Sequence, residues 1–133
     1  MEDPVLWLGA QLDEDERIAR RAGDSFRQIG ETGVIVATEG DRAEECASAN
    51  WAGIAEHIVR HDPARVLREI DSKRQLLAEY RLANAEGKYP DWAGGYASGL
   101  EYAVQLAAAD YADRPGYDPE WAPLSQWGPP ATT

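Results

Sequence analysis

The sequence predicts a mainly α fold: about four helices, a small β-hairpin between helices one and two, and an extended Pro-rich C-terminal strap. Three observations carry this expectation. Apolar residues recur at three- and four-residue spacings over most of the chain, Asp-Pro pairs mark helix starts, and glycines bracket one short β-branched run. A chain of 133 residues suffices for one core, so a single helical domain is expected over 1–127, with 128–133 as a frayed tail.

Helix one starts at Asp3, a capping residue followed by Pro4, which suits the first helical turn. Val5, Leu8, Leu12, Ala19 and Ala22 then fall on one stripe as far as about Gly23, and the same stripe passes through Asp15. Glycines at 23, 30, 33 and 40 surround Val34, Ile35 and Val36, which predicts a hairpin pairing 26–29 with 33–38 through a turn at 30–32. Two strands alone are marginal in water, so the hairpin has to lean on helices.

Ser48 or Asn50 caps a second helix running through Trp51, Ile54, Ala55 and Ile58 to about His61. Asp62 before Pro63 repeats the start signal of Asp3 and Pro4, opening a third helix that runs to about Glu86 and is closed by Gly87 and Pro90. A fourth helix, beginning within 91–95, places Tyr96, Leu100, Ala103, Val104, Ala107 and Tyr111 on one arc. Prolines at 115, 119, 123, 129 and 130 then forbid a long helix. Tyr117 and Trp121 are too apolar for a free tail, so 112–123 reads as an extended strap anchored by these two rings.

Several of these stretches resemble a known family. They are the segment 57–74, the run Tyr111, Ala112, Asp113, Arg114, Pro115, Gly116, Tyr117, Asp118, Pro119, Glu120, Trp121, and the helix-one run Leu12, Asp13, Glu14, Asp15, Glu16, Arg17, Ile18, Ala19. Together they resemble an uncharacterised family of small proteins from actinobacteria and their phages, domain of unknown function 6221. The resemblance covers most of the chain apart from about 23–49. It implies no activity, cofactor or site.

Composition narrows the function classes. A net charge of −11 opposes contact with a phosphate backbone, so no nucleic-acid partner is expected. No apolar run approaches a membrane span and the N-terminus lacks a signal-peptide pattern, which predicts a cytoplasmic protein with no membrane partner. Cys46 is the lone cysteine, reads as a small buried or half-buried side chain, and excludes an intramolecular disulfide. Phosphate loops, nucleophile elbows and dinucleotide fingerprints do not occur in the sequence, and no cofactor is expected.

The residues able to carry chemistry concentrate around 57–67. His57 and His61 are four apart and share a helix face, a spacing that suits a metal, with Asp62, Asp15 or Glu16 as the third ligand. Ile58 stands where the zinc-protease pattern needs a glutamate, and only Glu56 or Glu16 remains as a catalytic base. Against this metal-assisted hydrolase stands a simpler reading: His61 satisfies carbonyls in the last turn of helix two, and His57 packs at a crossing. Lys73 and Arg74 interrupt the apolar arc of helix three while Asp15 interrupts that of helix one, which predicts an internal ion pair joining them.

The leading functional expectation is a non-enzymatic helical module that binds a protein partner or forms a homodimer, motivated by aromatics expected to be exposed at Trp92, Trp121 and Trp127, with Trp92 and Trp127 as interface residues. The metal-assisted hydrolase is one alternative. An acidic decoy of phage origin that mimics DNA is the other, motivated by the charge.

Overall fold

A computed structural model describes residues 3–85 and 93–123. In chain order it contains α1 (Pro4–Arg21), β1 (Ser25–Gln28), β2 (Val34–Glu39), β3 (Arg42–Ser48), α2 (Ala52–Arg60), α3 (Pro63–Ala83), α4 (Ala93–Ala109) and a single 3-10 turn at Pro119–Trp121. The chain divides into two compact units: Leu12–Ser72, and Met1–Gln11 together with Lys73–Thr133.

The expected fold class is corrected by the sheet of the 12–72 unit. In place of a hairpin stands a three-stranded antiparallel sheet in the order β1-β2-β3. The first pairing sets Phe26 opposite Ala37 and Gln28 opposite Ile35. The second continues past the expected end, through Gly40 and Asp41, into a strand that sets Glu39 opposite Arg42 and Val34 opposite Ser48.

β3 escaped prediction because Arg42–Ser48 contains no β-branched residue, and all seven of its side chains are exposed. Its extended form comes from pairing with β2 rather than from its own preference. The turn was nonetheless encoded: Gly40 sits at a φ of +58°, and a leading glycine is what a type II′ two-residue hairpin requires. Because 42–48 is strand, neither Ser48 nor Asn50 starts α2; Trp51 is its cap residue, with no capping hydrogen bond from its side chain.

α2 covers β1 and β2 of this sheet. Burial in the unit centres on Leu12, Ala19, Ile35, Val36, Ala55 and Ile70. Between Ile35 and Val36 the register with β3 slips: Ile35 faces Ala47 and Val36 faces Glu45, leaving Cys46 as the extra residue of a β-bulge. Cys46 is therefore exposed, not buried or half-buried.

In the second unit the segment after α4 is also corrected. It is not extended but turns repeatedly and ends in the 3-10 helix at Pro119–Trp121. Asp118 caps that turn, its Oδ1 accepting from the Glu120 amide at 2.9 Å. Asp118 and Pro119 thus use the device of Asp3 and Pro4, where Asp3 Oδ1 accepts from the Val5 amide at 2.9 Å. Dense prolines suggested an extended chain, yet one of them follows an aspartate and starts a helical turn.

Trp7, Tyr117 and Trp121 form a triad with centroid separations of 5.5–5.6 Å. The Trp7 indole N–H donates to the Pro115 carbonyl at 3.2 Å. Gly116, at a φ of +89°, lets the chain pass so close that a Cβ there would lie 2.6 Å from Trp7 Nε1. Val5, Trp7, Leu8, Leu77, Val104, Ala108, Tyr111 and Trp121 supply the buried apolar surface of this unit.

Candidate functional site

The corner from α2 to α3 is built by mutual capping. Helix ends leave backbone groups without intrahelical partners, and here neighbouring side chains take them up. His61 Nδ1 lies 2.8 Å from the His57 carbonyl, and Arg65 Nη1 donates to the Arg60 carbonyl at 3.3 Å. A carbonyl only accepts, so Nδ1 of His61 carries the hydrogen. The two imidazoles lie 4.5 Å apart, tilted by 41°, and both residues are exposed.

Asp62 is the pivot of this corner. Its Oδ1 accepts from the Arg65 amide at 3.0 Å, closing the first turn of α3 as an N-cap. Its Oδ2 accepts from the Phe26 amide at 3.1 Å, so one carboxylate joins β1 to the start of α3. Both oxygens are engaged by backbone donors.

Of the remaining candidates for chemistry, Asp15 lines the same groove as His61. Glu16 pairs with Arg20 on its own helix at 3.1 Å, and Glu56 is exposed on α2. Among the described residues, no group of three His, Cys, Asp or Glu side chains is placed to hold a metal ion. Asp15 is half-buried in the 12–72 unit, while Lys73 and Arg74 belong to the other unit.

Lys73 has partners of its own. Its ammonium lies 3.2 Å from the Tyr111 hydroxyl and 3.4 Å from Asp110 Oδ2, and it sits 4.9 Å from the Tyr111 ring centroid. Arg114 stacks on the same ring at 4.5 Å. Desolvation pulls the Lys73 ammonium down, but the Tyr111 hydrogen bond and the nearby Asp110 outweigh it and raise the group above its ordinary range.

The more open feature lies beside the corner. Asp15, Ile18, Ala19, Ala22, Phe26, His61, Pro63 and Val66 line a groove of about 270 Å³ in the 12–72 unit. Its walls come from the end of α1, the start of α3 and the Phe26 ring, and its polar rim from Asp15 and His61. Helical spacing placed Ala19 and Ala22 on the stripe of α1, but sequence reasoning missed the groove because Ile18 lies off that stripe. Ile18 is 53% exposed; an isoleucine off the buried stripe and close to a phenylalanine strand was the available signal.

With the corner, its groove and the aromatic triad in place, the comparison with known proteins is direct: the family of unknown function DUF6221 matches residues 1–123. The chain belongs to that family. The match takes in 23–49, the stretch that resembled it least by motif, and so includes all three strands. No curated protein and no solved structure matches this member. No helix among the described residues is long and apolar enough to cross a membrane. Trp121, expected to be exposed, is instead buried at 2% exposure because it packs on Trp7 and Tyr117; Trp92 and Trp127, expected at an interface, lie outside the described residues, as does the tail at 128–133.

Proposed function

We propose that this chain is a small protein-binding module whose docking site is the groove beside His61. One observation carries the proposal: an open, mainly apolar concavity of about 270 Å³ with Ile18 standing half in water at its edge. That volume exceeds the ~150 Å³ of an apolar cavity that holds benzene and falls just short of the ~300 Å³ at which small-molecule sites begin. It suits one large apolar side chain presented by a partner, flanked by polar contacts at Asp15 and His61. With a net charge of −11, two copies repel at long range, which favours a basic partner over a homodimer. A source among actinobacteria or their phages belongs to the same reading and rests on the resemblance of 57–74 and 111–121.

The test is an NMR titration with the N-acetyl amides of leucine, tryptophan and lysine. The leucine and tryptophan amides should shift signals of Ile18, Ala22, Phe26 and Val66 at millimolar concentration, and the lysine amide should not. Ala22→Trp, which fills the groove from its rim, should abolish the shifts. Shifts scattered over the surface, or unaltered by that substitution, would overturn the proposal. Sedimentation showing a dimer broken by Ala22→Trp would instead assign the groove to a second copy.

A further inference from the structure

The 12–72 unit carries a second surface on the open edge of β3, where the neighbouring hollow shares only Ala22 with the groove. In the order β1-β2-β3 this strand has a neighbour on one side within its sheet, and its seven residues are all exposed. The residues flanking a two-residue hairpin turn exchange both backbone bonds, and the pattern alternates from there. Arg42 and Glu44 therefore direct their amides and carbonyls toward β2, while Ala43 and Glu45 direct theirs outward. An outward row of this kind is a template for another strand.

Charge decides which strand. Three antiparallel registers would bring the outward-facing residues of two copies opposite each other. Centred on Ala43, the pairing sets Glu45 against Asp41; centred on Glu44 or on Glu45, it sets that residue against its own copy. Each register opposes at least one acid to another, and like charges directly opposite are destabilising. The bulge at Cys46 limits further extension of a copy along the edge. Arg42 does not offset this, because Glu44 holds its guanidinium at 3.1 Å. Beside the strand, Glu39, Glu44 and Glu45 contribute to the wall of a hollow of about 210 Å³, open to a long cationic side chain.

We infer that the β3 edge accepts an extended basic segment of a partner protein as a fourth antiparallel strand, its backbone pairing with Ala43 and Glu45 and its cations facing Glu39, Glu44 and Glu45. The acids that exclude a second copy are the ones that select this partner.

The test uses two nine-residue synthetic peptides, one of lysine pairs alternating with valine pairs and one of glutamate pairs alternating with valine pairs, so that each presents charges on both faces of an added strand; they are added to the full chain. Amide hydrogen exchange and fluorescence anisotropy are the readouts. The lysine peptide should bind and slow exchange at the Ala43 and Glu45 amides, and the glutamate peptide should do neither. Exchanging Glu44 and Glu45 for lysine, a surface change that spares the fold, should weaken binding roughly ten-fold, the size of two cross-strand charge pairs turned repulsive. Ala43→Pro removes an outward donor and should abolish protection at Glu45, whereas Ile18→Trp, at a residue that lines the groove but not the hollow beside β3, should leave peptide binding intact, separating this edge from the groove. Equal binding of both peptides, or protection elsewhere in the chain, overturns the inference. Protection of Ala43 that grows with protein concentration without peptide would also overturn it, in favour of a second copy.

Discussion

Replacing Asp62 with alanine tests the corner most directly, because one carboxylate makes two connections there. The bond to the Arg65 amide is an N-cap, and truncating such a residue costs about 1 kcal/mol. The bond to the Phe26 amide has an ionised acceptor in a half-buried position, and its loss costs about 1.5 kcal/mol. Asp62→Ala should therefore lower stability by about 2.5 kcal/mol and, for a chain of this size, the melting temperature by roughly 10 °C. Asp62→Ser retains a capping oxygen but falls short of Phe26, so it should recover only the first contribution. Urea titration gives the totals, and amide exchange at Phe26 isolates the second bond. A cost below about 0.5 kcal/mol for Asp62→Ala, within the range of ordinary surface changes, would refute the reasoning. So would Asp62→Ser matching the parent chain.

Gly116→Ala should destabilise by about 1–3 kcal/mol, since it combines a positive φ with a Cβ 2.6 Å from the Trp7 indole nitrogen; thermal melts followed by tryptophan fluorescence check it, and an unchanged melt would deny the close approach. Stability should fall at alkaline pH. Lys73 and Tyr80 are both raised in the folded chain, Tyr80 by desolvation and then by the charges of Glu101 and Asp3. A raised group stabilises the fold below its unfolded value and loses that contribution as pH climbs through the folded one, so the decline should begin above about 10. Lys73→Met combined with Tyr80→Phe should flatten it in urea titrations repeated across that range. Cys46→Ser, at an exposed bulge, should change stability by less than about 0.5 kcal/mol, and a larger loss would mean that the thiol is packed.

Legibility in the sequence followed the locality of the signal. Asp3 with Pro4 and Asp62 with Pro63 announce their helices in two adjacent residues, and the stripe through Leu8 and Leu12 is readable because helical period alone places those side chains inward. β3 was not readable from Arg42–Ser48, whose composition suits solvent and whose conformation depends on β2. Nor was the occupation of both Asp62 oxygens: the second donor is the Phe26 amide, 36 residues away. His57 and His61 share a face as their spacing implies, but spacing carries no information about whether a third ligand arrives. Trp121 was recognised as an anchor from its apolar bulk, yet its partner Trp7 was not, because only folding brings the two ends together.

That last distance bears on the order in which the molecule forms. The strands of 12–72 are joined by tight turns and lie within one continuous stretch, so their contacts close small loops at low entropic cost. The other unit is discontinuous, and the indole of Trp7 bonds to Pro115, 108 residues later. During synthesis the sheet and its helix can be complete while Trp7 still lacks the segment it packs against. The N-terminal turn of α1 must wait for nearly the whole chain, and closure of the Trp7, Tyr117 and Trp121 triad is expected as a late step, one that tryptophan fluorescence would follow separately from formation of the sheet.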